Sequence, residues 1–144
     1  MSTLRTINVI HPSGSTTNIV NDASGNVAIG ANLTPVSYTE TVTAVGTVTT
    51  TSTLSIAAGT VLTATLTAST ACVFTMPTAT AGKSFILLLK QAATTGNGTA
   101  TFTSVKWNSG GAPTITATAG KMDILTFVAD GTNWYGSASQ GYTP

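Results

Sequence analysis

The sequence predicts an all-β protein: an antiparallel β-sandwich or small barrel of short strands, preceded by an N-terminal extended or hairpin segment. Three observations carry that prediction. Thr supplies roughly a fifth of the 144 residues, and its β-branched side chain suits the pleated, half-exposed surface of a strand. Helix formers such as Glu, Arg and Gln are nearly absent. Short apolar–Thr alternations recur with turn signals every ~8 to 12 positions, the rhythm of sandwiches and small barrels.

Residues 1–35 read as an anchoring segment distinct from a domain over 36–144. The weak alternation Thr6-Ile7-Asn8-Val9-Ile10 is broken by His11-Pro12-Ser13-Gly14, because Pro12 lacks an amide donor and restricts His11. Asn18-Ile19-Val20-Asn21 and Asn26-Val27-Ala28-Ile29 form two short strands around Asp22-Ala23-Ser24-Gly25, with Gly25 in the left-handed turn position. So small a hairpin has too little apolar surface to fold alone and must dock on something else. Leu33-Thr34-Pro35 marks the boundary.

From Val36 to Thr53 the chain alternates with period two, and Gly46 interrupts it where a bend or bulge is expected. Leu54-Ser55-Ile56 reads as a further short strand. Leu62, Ala64 and Leu66 share one face of the next, and Cys72, Phe74 and Met76 one face of the strand that Pro77 ends. Phe85 to Leu89 is apolar on both parities, which predicts a central strand buried on both faces. Gly96-Asn97-Gly98 and Asn108-Ser109-Gly110-Gly111 are turns, with strands at Ala100–Thr103 and Thr114–Ala117. The last element is a hairpin: Leu125, Phe127 and Ala129 alternate with Ile124, Thr126 and Val128, Asp130-Gly131 turns, and Trp134-Tyr135 opens the return strand.

Charge excludes several function classes. Charged residues make up 6% of the chain, where a globular protein has about 25%. The net charge is +1, and Lys83, Lys90, Lys106 and Lys121 are scattered, whereas nucleic acid demands clustered cations. The apolar run Phe85–Leu89 falls far short of the ~20 residues that span a bilayer. The N-terminus has no apolar h-region, so no secretory signal is expected. The single Cys72 excludes an internal disulfide. Not one charged side chain lies between Glu40 and Lys83. A surface so neutral is expected to be covered by other subunits, because charge normally guards sheet edges and keeps monomers apart.

No catalytic, cofactor-binding or metal-binding residues are expected. His11 is the only histidine and has no partner nucleophile or ligand set beside it. Cys72, in phase with Phe74 and Met76, reads as a small core hydrophobe. Of the four acids Asp22, Glu40, Asp123 and Asp130, Asp22 and Asp130 are explained by turn chemistry. Asp123 is placed to face Lys121 or Lys83 at a strand end. Asp22 to Asn26 has alternating oxygen residues but lacks the sixth-position Gly and terminal Glu of a calcium loop. Asn32-Leu33-Thr34 and Asn97-Gly98-Thr99 match a glycosylation pattern that so Thr-rich a chain meets by chance. Trp107, Trp134 and Tyr135 are read as core or interface aromatics rather than a sugar-stacking platform.

Two stretches carry a resemblance. Asn8-Val9-Ile10-His11-Pro12-Ser13, then Asn18-Ile19-Val20 and Asp22-Ala23-Ser24-Gly25-Asn26-Val27, resembles the N-terminus of short virion proteins of tailed bacteriophages, cyanophages among them. Ile124 to Val128 with Asp130-Gly131-Thr132-Asn133-Trp134-Tyr135-Gly136, together with Val105-Lys106-Trp107 and Ala112-Pro113-Thr114, resembles the closing hairpin of phage tail-fibre and head-decoration domains. The resemblance implies a non-enzymatic homotrimer on the virion, made in the host cytoplasm. Decoration (cement) protein bound to the major capsid protein is the first expectation. A short tail fibre or receptor-binding protein touching host surface glycan is the alternative. A hydrolase ranks last for want of an acid pair.

Overall fold

Why Thr-rich alternations make strands is local, but which strands pair is not. The computed structural model describes residues 9–10, 17–21, 23, 27–30 and 32–144. Two units divide the chain, Met1–Thr39 and Glu40–Pro144. In the first, β1 (Val9–Ile10), β2 (Thr17–Asn21) and β3 (Val27–Ile29) form an antiparallel sheet in that order. The expected hairpin is there, with Ile19 opposite Ile29 and Asn21 opposite Val27. His11, Asp22 and Gly25 lie outside the described residues.

The second unit is all-β, but its architecture corrects the antiparallel sandwich or barrel. Six strands come in three pairs: β4 (Val42–Val48) with β5 (Thr51–Thr53), β6 (Val61–Leu66) with β7 (Ala71–Thr75), and β8 (Ser84–Lys90) with β9 (Thr99–Phe102). The first strands of the pairs stack in parallel, Val42 beside Val61 and Val61 beside Ile86. The second strands stack in parallel too, Thr51 beside Val73 and Val73 beside Thr101. The unit is therefore a short β-solenoid of three rungs. Only the end is antiparallel. Beyond β10 (Val105–Lys106), β11 (Met122–Ala129) runs antiparallel to β8, and β12 (Trp134–Tyr142) antiparallel to β11. The larger sheet reads β10-β12-β11-β8-β6-β4.

Period-two patterning marks a strand and its faces but is silent about its partner, because parallel and antiparallel ladders alternate alike. Unequal rungs hid the repeat: the step from Val42 to Val61 is shorter than that from Val61 to Ile86. A solenoid turns its corners within a rung, so parallel strands need no helical crossover here.

One interior receives both sheets. Leu62, Ala64 and Leu66 of β6, Cys72 and Phe74 of β7, Phe85, Leu87 and Leu89 of β8, and Leu125, Phe127 and Ala129 of β11 are buried together. The predicted core faces of β6, β7 and β11 hold. Gly46 is the expected bulge. Its φ is +85° and the β4–β6 register shifts between Ala44 and Gly46. The extra residue reverses the side-chain parity, so Val42 and Ala44 point outward while Val48 enters the core.

Other expectations change. Val36 and Tyr38 belong to no strand and are exposed. Leu54-Ser55-Ile56 and Thr114–Ala117 are irregular, although Leu54 and Ile115 still plug the core. The third corner is closed by the buried Gln91, whose Nε2 donates to the Gly98 carbonyl at 2.7 Å and whose Oε1 accepts the Gly98 amide at 3.0 Å. This side chain thus takes the place of a backbone ladder partner. Among the described residues no helix forms, and none is long and apolar enough to cross a membrane.

Candidate interaction face

The central strand β8 sits mid-sheet as expected, but it is buried on one face only. Phe85, Leu87 and Leu89 are in the core, while Ile86 and Leu88 stand half-buried on the outside. That outer face is the feature the sequence misplaced.

Register lays it out in rows across the strands. Tyr135, Val128 and Ser84 align in the first row, and Ser137, Thr126, Ile86, Val61 and Val42 in the second. Ser139, Ile124, Leu88, Thr63 and Ala44 make the third, and Met122, Lys90 and Thr65 lie in the fourth. Branched aliphatics and Thr hydroxyls alternate over the grid. Val42 is 60% exposed, Val128 52% and Tyr135 44%. Exposed apolar side chains set among hydroxyls on one sheet face make it the candidate interaction surface among the described residues.

Two hollows interrupt it. One, about 440 Å³, is bordered by Glu40, Ser84, Ile86, Thr126, Val128, Tyr135 and Ser137. The other, about 210 Å³, lies at the opposite end of the strands, between Ala44, Gly46, Thr63, Leu88, Lys90 and Met122. Charge on the face is sparse and separated. Glu40 accepts a hydrogen bond from Thr60 Oγ1 at 2.7 Å where β4, β6 and β8 begin. Lys90 lies where β8 ends, and Lys106 stands on the edge strand beside Tyr135.

The remaining candidates resolve into structure. Cys72 is buried, and its Sγ donates to the Val48 carbonyl at 3.2 Å. Trp134 is 1% exposed, packs edge-on against Phe85 at 5.1 Å, and its Nε1 donates to the Pro77 carbonyl at 2.7 Å. Trp107 is half-buried against Phe102 and Phe127. Its ring lies flat over Gly136, where an added Cβ would come within 2.6 Å of Cζ3. Trp107, Trp134 and Tyr135 therefore share no exposed platform, since one is core, one is wedged and only Tyr135 faces out. Asn97 holds a left-handed turn, with φ at 62°.

Asp130 is the turn residue it was expected to be. Its Oδ1 accepts the amides of Thr132 and Asn133, each at 2.7 Å, and its Oδ2 accepts the Tyr135 hydroxyl at 3.0 Å. Those bonds, the Asn133 amide foremost, lower its pKa to about 2. The bond to Asp130, and then its charge, raise Tyr135 above its usual 10.0.

Asp123 corrects its expectation. It faces neither Lys121 nor Lys83 but is buried to 1% exposure. Oδ2 accepts the Thr116 amide at 2.7 Å and Gln140 Nε2 at 3.1 Å, and Oδ1 accepts the Gly141 amide at 3.0 Å. Burial by itself raises this carboxyl. The hydrogen bonds from Thr116, Gly141 and Gln140 together outweigh it and hold the pKa below 3.8. It ties the irregular 107–121 connection to the end of the hairpin. The chain offered no signal for this, because its partners are two backbone amides and one amide side chain.

Among the described residues no group of three His, Cys, Asp or Glu could hold a metal ion. No protein-family model matches the chain, and no curated protein or solved structure does either.

Proposed function

We propose that this chain is a structural protein of a tailed-bacteriophage virion, a capsid decoration (cement) protein that works as a homotrimer. The observation that carries the reading is the outer face of the larger sheet, whose apolar grid calls for an identical neighbour rather than for a substrate. In this reading the solenoid unit is the knob, residues 1–35 dock on the major capsid protein, and the protein has no catalytic role. It is made in the host cytoplasm and ends on the capsid surface. The residue-level resemblance of both termini to phage surface proteins supports it. Repetition of a modest contact around the trimer raises effective concentration at a capsid seam.

Deleting residues 1–35 is expected to leave a soluble oligomer that no longer joins the particle, measured by co-sedimentation with heads. Normal occupancy of the truncated protein would defeat the anchoring role, and electron cryo-microscopy density on the tail would defeat the head location. One observation favours a second reading, a short tail fibre or receptor-binding protein. The hollow beside Tyr135 is rimmed by the hydroxyls of Ser84, Thr126 and Ser137 and by Glu40, groups suited to a sugar. A glycan-array screen separates that reading from the first.

A further inference from the structure

The third corner, between β8 and β9, holds the only Asn-Gly pair of the chain, Asn97-Gly98. Packing dictates both residues. Asn97 has φ at 62°, a left-handed conformation that Asn tolerates better than most side chains. Gly98 is buried, and a Cβ there would come within 2.8 Å of both Leu66 Cβ and the Thr67 carbonyl oxygen. Only glycine fits. The consequence is chemical: with no side chain on Gly98, nothing shields the Asn97 carboxamide from the amide nitrogen that follows it.

Such a pair has a defined reaction in water. The Gly98 nitrogen gives up its proton and attacks Asn97 Cγ, forming a C–N bond. The Cγ–Nδ2 bond breaks, and Nδ2 leaves as ammonia, its third hydrogen replacing the proton that Gly98 gave up. The succinimide so formed adds water at Cγ, giving aspartate, or at the Asn97 carbonyl carbon, giving isoaspartate. In sum, water is consumed and ammonia is released, with nothing oxidised or reduced.

We propose that Asn97-Gly98 is a masked deamidation site and that Gln91 is the mask. Gln91 is 1% exposed, its Oε1 accepts the Gly98 amide at 3.0 Å, and its Nε2 donates to the Gly98 carbonyl at 2.7 Å. The attacking nitrogen is therefore capped by a buried acceptor, away from solvent base. Bonds on either side keep the peptide from turning toward the side chain. The Asn97 amide donates to the Ala117 carbonyl at 2.7 Å, and the Thr99 amide to the Thr70 carbonyl at 2.9 Å. The Gly96 carbonyl accepts the Ser69 amide at 3.0 Å. Asn97 itself is exposed, so it is the nucleophile that the fold withholds. Local opening of the corner, with the rest of the solenoid intact, releases it. The change is then irreversible. Both products add a negative charge, and isoaspartate also lengthens the main chain, so that Gly98 no longer lies in register with Gln91. The site thus records each opening of the third rung.

The test follows Asn97 in the full chain by peptide mass spectrometry, as the mass gained when amide becomes acid, with isoaspartate assayed on the same peptide. Asn108, which precedes Ser109 and whose Oδ1 accepts the Gly110 amide at 3.0 Å, is the internal reference. In mildly alkaline buffer the folded chain should convert Asn97 at least about tenfold more slowly than the chain in denaturant. Gln91→Met, which keeps the bulk and removes both partners, should speed conversion in the folded chain about tenfold, the extra opening that losing two hydrogen bonds permits. Circular dichroism reports whether that variant folds. Equal rates in folded and denatured chains overturn the mask. A folded Gln91→Met chain that converts no faster than wild type overturns the role of Gln91. If the variant does not fold, the wild type decides. In subdenaturing urea, hydrogen exchange at the Gly98 amide and conversion of Asn97 should rise together, and conversion while that amide stays protected overturns the proposal.

Discussion

The two faces of the larger sheet are built from the same strands, yet within the solenoid unit one is fully buried and the other is half-buried to exposed. Inward, Leu62, Leu87, Leu125 and Phe127 pack into a single interior with the smaller sheet. Outward, Val42 is exposed and Val61, Ile86 and Ile124 are half-buried. Hydrophobic burial is proportional to area removed from water, so the inner face contributes more to folding than the outer face does. The difference also appears in the acids. Asp123 on the inner face has its carboxylate saturated by three hydrogen bonds, whereas Asp130 belongs to an exposed turn.

The largest effect should come from truncating adjacent residues of β8. Leu87→Ala removes a fully buried side chain and is expected to cost about 2–5 kcal/mol of stability by denaturant unfolding. Ile86→Ala, one residue away on the outer face, should cost well under half of that in the dissociated chain. Equal costs at the two positions would erase the distinction between the faces.

Next is Asp123→Asn, which weakens the bonds a buried carboxylate makes to two backbone amides and should cost about 1–3 kcal/mol. The same carboxylate predicts the acid response. Its pKa is lowered on folding, so its contribution is complete above 3.8 and is lost as pH falls through the lower folded value. Unfolding measured from neutral pH down through this window should therefore flatten in the Asn variant relative to wild type. An unchanged acid profile would mean that Asp123 is a bystander.

The smallest effect sharpens the outer side. Asp130→Asn weakens the hydrogen bond that chiefly raises Tyr135 and removes the charge that adds to it, so the Tyr135 hydroxyl should titrate closer to 10.0, read by NMR of the ring. The Asp130 contribution follows the same sign as that of Asp123, present above 3.8 and lost as pH approaches 2. A Tyr135 titration that ignores the substitution would remove the turn from any role in shaping the outer face.

Much was legible from residues alone. The Thr-rich alternation determined the class and most strand positions, since face periodicity is a local property of extended backbone. The core parities of Leu62–Leu66, Cys72–Met76 and Leu125–Ala129, the bulge at Gly46 and the Asp130-Gly131 turn were all readable, because each depends on neighbours within a few residues. Tertiary structure alone decided that the rungs stack in parallel, because pairing depends on distant partners that a period of two does not encode. It decided that β8 is buried on one side only, since nothing in Phe85–Leu89 tells whether a second layer lies above the sheet. It also decided the place of Asp123, whose partners Thr116 and Gly141 become neighbours only when the hairpin closes. What the chain could not show locally was which residues of β8 stand outward, because Phe85–Leu89 is apolar on both parities.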